Sequence, residues 1–237
     1  MSNNAARPVI AALLIALGLV GAGWFASQGM ERLRTADRYV TVKGSAERIV
    51  DADLVVWPLA HWVGGNDLAD VQRRLDANTA TIRGFFTGAG FKPGEIVVSP
   101  PRLEDRWAYA YGDNRPPERF RYSTTVTLRT SNVANALSVL RRSGELVSRG
   151  VMLGAEGEAG GPDFDYTRLN EIKPALIAEA TANARRSAEQ FAKDSGARIG
   201  GIRSANQGVV DISNRDQGSP QVKKVRVVTT VEYFLKD

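Results

Sequence analysis

Between Ala180 and Gly200 a small residue returns at every fourth position: Ala180, Ala184, Ala188, Ala192, Gly196 and Gly200. A helix places residues i and i+4 on one face. A row of methyl groups there forms a low ridge, along which the helix backbone can approach its neighbour closely. A fourfold row drifts slowly around a helix of 3.6 residues per turn, so the contact follows a slanted line. The spacing predicts one long helix over about Leu169 to Ser195. With so little side-chain bulk it has to lie against a surface built by the rest of the chain, and a sheet of the same domain is the expected surface.

Strands are legible as period-two alternation. Val40, Val42, Gly44 and Ala46 alternate with Thr41, Lys43, Ser45 and Glu47. Asp51-Ala52-Asp53 punctuates this run before a second one, Leu54 to Val63, in which Pro58 points to an edge strand or a bulge. A turn through Gly64 and Gly65 leads to a helix with Asn66 or Asp67 as N-cap. Its stripe is Leu68, Val71, Leu75, Asn78, Ile82, Phe85 and Ala89, and Gly90 stops it as a left-handed C-cap. Glu95 to Val98 starts a third strand, and Phe120 to Leu128 alternates as a fourth. Residues 131–148 read as a shorter helix with Val133, Leu137, Leu140 and Val147 on one side. A strand from Val151 precedes the long helix. Strands over Ile199–Ile212 and Val222–Leu235 end the chain, the last with Val225, Val227, Thr229, Val231, Tyr233 and Leu235 on one face. The order ββαββα followed by βαββ is that of an α+β fold with an antiparallel or mixed sheet and about three helices. Phe85, Gly90, Gly94 and Ile96 repeat the spacing of Phe191, Gly196, Gly200 and Ile202, which reads as a shared helix stop and left-handed turn.

Composition removes whole classes of chemistry. The 237 residues include no cysteine and one histidine, His61. Disulfide scaffolds, thiol catalysis, iron–sulfur sites and any site needing two imidazoles are excluded. The net charge of +5 comes from 31 cationic residues, 24 of them Arg, spread from Arg7 onward among acidic neighbours. Nucleic-acid binding needs the charge gathered on one face with a recognisable motif; neither is present, and no nucleic-acid partner is expected.

The amino-terminal segment differs from everything after it. Val9 to Ala26 is uncharged and apolar, with Arg7 before it and Glu31, Arg32 and Arg34 after it. A helix of that length rises about 27 Å, near the thickness of a bilayer's hydrocarbon core. Trp24 and Phe25 suit the interface. The run is longer than the h-region of a cleaved signal peptide, so an uncleaved signal anchor over residues 9–27 is preferred to cleavage. The expected organisation is a short tail (1–8), the anchor (9–27), a juxtamembrane linker (28–38) and one exported domain (39–237). Arginines flank both ends of the span, so charge does not settle its orientation.

Few residues suggest chemistry. His61 lies in an alternating run with no partner to orient it as a base and reads as a strand residue at a surface or interface. The stretch from Gly154 to Tyr166 carries Glu156, Glu158, Asp163 and Asp165, but not in the spacing of a calcium loop. Gly88-Ala89-Gly90 lacks the ending of a phosphate loop. Trp107, Tyr109 and Tyr111, with Arg102, Arg106 and Arg115 nearby, read as a strand pair with aromatics on one face. No catalytic, cofactor-binding or metal-binding residue is assigned.

The motif Val42-Lys43-Gly44-Ser45-Ala46, then Asp51-Ala52-Asp53, Phe164-Asp165, the small-residue row and Gly200-Gly201-Ile202 together resemble the SIMPL-domain family over about residues 39–236. Ala46 stands where the family more often has a second glycine. The resemblance implies an α+β fold, no established enzymatic activity, a bacterial cell-envelope role sometimes linked to oxidative stress, and self-assembly of some relatives into ring- or channel-like oligomers. The expectation is therefore a non-enzymatic protein of the bacterial inner membrane, single-pass through residues 9–27. Its C-terminal domain would lie in the periplasm and form homo-oligomers, through the Pro58 strand or the Trp107–Tyr111 segment. Cleavage would instead leave a soluble periplasmic domain. A metal- or anion-binding module and a carboxylate-dependent hydrolase are the alternatives.

Overall fold

The computed structural model of the chain describes residues 16–25, 38–108, 115–154 and 161–236. Residues 16–25 are helical (α1). The strands are β1 (Tyr39–Asp51), β2 (Leu54–Gly65), β3 (Ile96–Val98), β4 (Arg102–Asp105), β5 (Phe120–Thr130), β6 (Asp163–Asp165), β7 (Arg198–Asn214) and β8 (Val222–Lys236). The remaining helices are α2 (Leu68–Gly88), α3 (Val133–Leu140), α4 (Gly144–Ser148) and α5 (Leu169–Asp194). They make an α+β protein with two antiparallel sheets, ordered β1-β8-β7 and β3-β5-β2-β6, with β4 also pairing β5. Among the described residues there are five helices: α1 lies within the expected anchor, and the other four stand where about three were expected, because the helix expected over 131–148 breaks at Arg141–Ser143 into α3 and α4. The break shifts the helical phase, so Leu146 is buried while Val147 is 60% exposed.

The chain divides into two compact units. One holds the segment up to Glu47, Lys173–Asp211 and Arg226 onward; the other holds Arg48–Ile172 and Ile212–Val225. In the first unit the ridge of α5 lies on its own sheet. Ala180, Ala184, Ala188 and Ala192 are buried, as are Val227, Val231 and Tyr233 of β8. Ala184 and Ala188 pack with Val40, Val231 and Tyr233. The approach is closest at Gly44, where a Cβ would fall 2.0 Å from the Ala180 carbonyl oxygen and 2.3 Å from the Ala184 nitrogen. Only glycine lets strand and helix backbones come that near.

The second unit is built on bulk. Val55, Trp57, Leu59, His61 and Val63 of β2 alternate inward. Against them α2 buries Val71, Leu75, Ile82, Phe85 and Phe86. The Trp57 ring meets Phe86 edge-on at 5.4 Å, and Phe86 meets Phe91 at 6.0 Å, arrangements that suit aromatic quadrupoles. Asp67 caps α2, its side chain accepting from the Asp70 N–H at 2.9 Å.

Both long helices end alike. Gly90 N–H donates to Thr87 O and Phe91 N–H to Phe86 O, while Gly196 N–H donates to Lys193 O and Ala197 N–H to Ala192 O. Gly90 and Gly196 have φ of 90° and 71°, so each stop is a Schellman motif. Beyond the stop the echo ends: Gly94 sits in a 3-10 turn (Pro93–Glu95), Gly200 in β7.

Pro58 is not on an edge strand. β2 lies between β5 and β6, but β6 reaches only Val56. Pro58 falls just past that pairing, where its missing N–H leaves no gap in the ladder. The strand expected from Val151 shrinks to a single bridge between Leu153 and His61.

Candidate functional site

The register of β2, β5 and β4 builds a polar groove. Trp62 faces Ser123 and Ala60 faces Thr125 across β2 and β5, while Arg102 faces Ser123 and Glu104 faces Arg121 across β4 and β5. These residues point away from the side of the sheet that α2 covers, because neighbours along a strand alternate faces. With Ser99 and Gly154 they line a cavity of about 480 Å³. The Arg121 guanidinium lies over the Trp62 ring at 4.5 Å, a cation–π contact. The groove thus presents two guanidiniums, one carboxylate and a set of hydroxyls. That donor set suits an anion; acid–base catalysis would require a titratable partner for Glu104 within hydrogen-bond reach.

His61 is a correction to the surface or interface reading. It is 1% exposed and turns to the opposite side from the groove, its Nε2 lying 3.0 Å from Thr79 Oγ1. The Thr79 hydroxyl donates to Leu75 O at 2.8 Å, so its oxygen accepts and Nε2 carries the proton. Burial lowers the His61 pKa below its ordinary 6.5, and the Leu59 carbonyl near Nδ1 partly offsets this by favouring a second N–H. The ring is thus hydrogen-bonded to Thr79 and buried on the α2 side, while the residue itself also borders the groove.

The Asp51-Ala52-Asp53 motif has a structural task. Ala52 N–H donates to Gln221 O and Asp53 N–H to Asp165 O, both at 2.8 Å. The Asp53 carboxylate accepts from the Thr167 backbone N–H, the Thr167 hydroxyl and Arg168 Nε at 2.8–2.9 Å. Burial opposes its charge, but these donors outweigh that and hold the pKa below the usual 3.8. The corner ties the β1–β2 turn to the segment that leads into α5.

Other expected candidates disperse. Asp163 and Asp165 are exposed on β6, either side of buried Phe164; Glu156 and Glu158 lie outside the described residues, as do Tyr109 and Tyr111. Trp107 is not on a strand: it follows the end of β4, half-buried. Its Nε1 donates to Pro116 O at 2.9 Å, and Arg115 and Arg119 lie 5.7 and 5.8 Å from its ring. Arg119 also pairs with Asp105 through two nitrogens, and this guanidinium is the first cause of a lowered Asp105 pKa. Among the described residues no three His, Asp or Glu side chains converge as a metal-ligand set. Sequence reasoning missed the groove, although Arg102 had been noted for another reason.

A two-sheet α+β protein with an alanine-ridged helix and an aspartate corner defines the class. The chain belongs to the SIMPL family, described as a protein of unknown function (DUF541), whose profile matches residues 40–233. The match runs from the second residue of β1 to Tyr233 in β8. No curated protein matches the chain.

Proposed function

We propose that this SIMPL protein is a non-catalytic module of the bacterial cell envelope, tethered by residues 9–27, with its C-terminal domain exported to the periplasm and self-associating there. The observation that carries the tether is the surface of α1. Leu17, Leu19, Val20, Trp24 and Phe25 are each more than 60% exposed, an apolar surface that lipid would cover. Among the described residues no helix is long and apolar enough to cross a membrane, and α1 is the described part of a longer uncharged run. The non-catalytic reading rests on the sequestered His61 and the lone groove carboxylate. A role in tolerance of oxidative stress belongs to the same proposal.

Carbonate extraction and protease accessibility of the full chain test the tether. The chain is expected to stay in the membrane fraction, with its domain cleaved only when the periplasmic side is opened. Mass spectrometry of that fraction should find the first 30 residues still present; a mature chain starting near Trp24 or Met30 would make the domain soluble and overturn the tether. A hydrolase screen should find no activity. Turnover abolished by Glu104→Gln or Asp163→Asn would overturn the non-catalytic reading. A strain lacking the protein should be more sensitive to peroxide.

The Arg102 and Arg121 pair favours a second reading, an anion-binding module. Titration with inorganic phosphate should then raise the melting temperature of the wild-type chain and leave Arg102→Ala unmoved.

A further inference from the structure

The three-stranded sheet has two edges of different character. β1 carries exposed Lys43 and Glu47, the kind of charge that discourages a passing strand. β7, the other edge, is 17 residues long, against a usual strand of about 5–6. Residues 201–209 are exposed on both faces of the strand. Between Arg203 and Asp211 the sequence Ser-Ala-Asn-Gln-Gly-Val-Val has no charge and no proline, and Val209 is 88% exposed. A long edge of this kind offers a row of backbone donors and acceptors without the usual guards. Gly208 cannot be exchanged for a bulkier guard without disturbance, since a Cβ there would lie 2.7 Å from the Val228 carbonyl oxygen.

We propose that β7 pairs with β7 of a second copy, antiparallel along Arg203–Asp211 and centred on Gln207. This rests on the self-association reading above and names its surface. Charge chooses the occupant and the register. In an antiparallel pair of identical strands, Arg203 of each copy meets Asp211 of the other only when Gln207 faces Gln207. That arrangement is isologous and closes on a two-fold axis. It sets Ala205 opposite Val209, covering the exposed valine. A one-residue slip separates both charge pairs and reverses the faces. Arg203 lies 3.9 Å over the Tyr39 ring of β1 and 4.0 Å from Glu232 of β8, both on the inner side of β7, so meeting Asp211 of the second copy requires its long side chain to turn outward.

The absence of cysteine makes the register directly testable in the full chain in mild detergent. Facing residues of an antiparallel pair have Cα atoms about 4.5–5.5 Å apart, within disulfide range. Gln207→Cys should therefore form a disulfide-linked dimer under mild oxidation. Ala205→Cys alone should not, whereas Ala205→Cys combined with Val209→Cys should. Adding Asp211→Arg to Gln207→Cys should abolish the cross-link, and adding Arg203→Asp as well should restore it, with circular dichroism unchanged throughout. If the wild type self-associates in sedimentation but Gln207→Cys does not cross-link, or cross-links no better than Ala205→Cys, this surface is wrong while self-association stands. If Gln207→Cys in cells captures a different protein and never its own copy, the second copy is the wrong occupant. A wild type that sediments as a monomer at every concentration overturns both readings.

Discussion

The two units solve the same problem, a helix on a sheet, by opposite means. α2 meets its sheet through Trp57, Phe85, Phe86 and Phe91, large rings that fill the space between layers. α5 meets its sheet through alanines against Gly44, with almost no side chain between the backbones. Stability in the first case comes from apolar area, and the penalty for error is a cavity. In the second it comes from closeness, and the penalty is a collision. The same kind of substitution, one that changes volume, should therefore act with opposite sign of size in the two places.

The largest effect is expected from removing bulk where bulk matters. Trp57→Ala should cost about 3–5 kcal/mol, measured by urea unfolding, and Trp57→Phe much less. Next comes adding bulk where there is no room. Gly44→Ala should cost about 3 kcal/mol, and Ala184→Leu, which tests the contact from the helix side, about 1–3 kcal/mol. An Ala184→Leu chain that melts normally would show that the ridge does not pack as closely as its geometry indicates.

A smaller effect separates the two cores by pH. His61 is the chain's one imidazole, and burial holds its folded pKa below 6.5. Below pH 6.5 the unfolded chain binds a proton that the folded chain refuses. The contribution is thus complete above that pH and is lost as pH falls toward the folded pKa. His61→Gln should flatten this part of the stability profile, and a single imidazole NMR signal should titrate below the ordinary range. The smallest effect is a gain. Thr229, 4% exposed in the alanine-lined layer, has a hydroxyl without a hydrogen-bond partner. Thr229→Val removes that burden and should stabilise the protein by about 1 kcal/mol, seen as a raised melting temperature.

Much of this architecture was legible because both regular periods were clean. The alternation in β1, β5 and β8 and the stripes of α2 and α5 located those elements within a few residues, and Gly90 and Gly196 marked the stops. β4 and β6 escaped because runs of four and three residues carry too little periodicity. His61 was legible in principle: it shares parity with Trp57, Leu59 and Val63, and that alternation already placed it inside. The groove was not. Trp62 meets Ser123 and Arg102 only through pairings of strands distant in sequence, and no local pattern encodes that register.

The pairing of β1 with β8 has a consequence for biosynthesis. The Leu235 N–H donates to Arg38 O and the Ala52 N–H to Gln221 O, so the first strand of the domain finds its neighbour only in the last. At synthesis rates of about 5–20 residues per second, β1 waits on the order of ten seconds or more before that neighbour leaves the ribosome. Until then Gly44 has no sheet around it and the alanine ridge has nowhere to settle. The unit that holds β1 and α5 is thus kept open by its own topology until translation is nearly over, while the strands of the other sheet have all been made by Asp165.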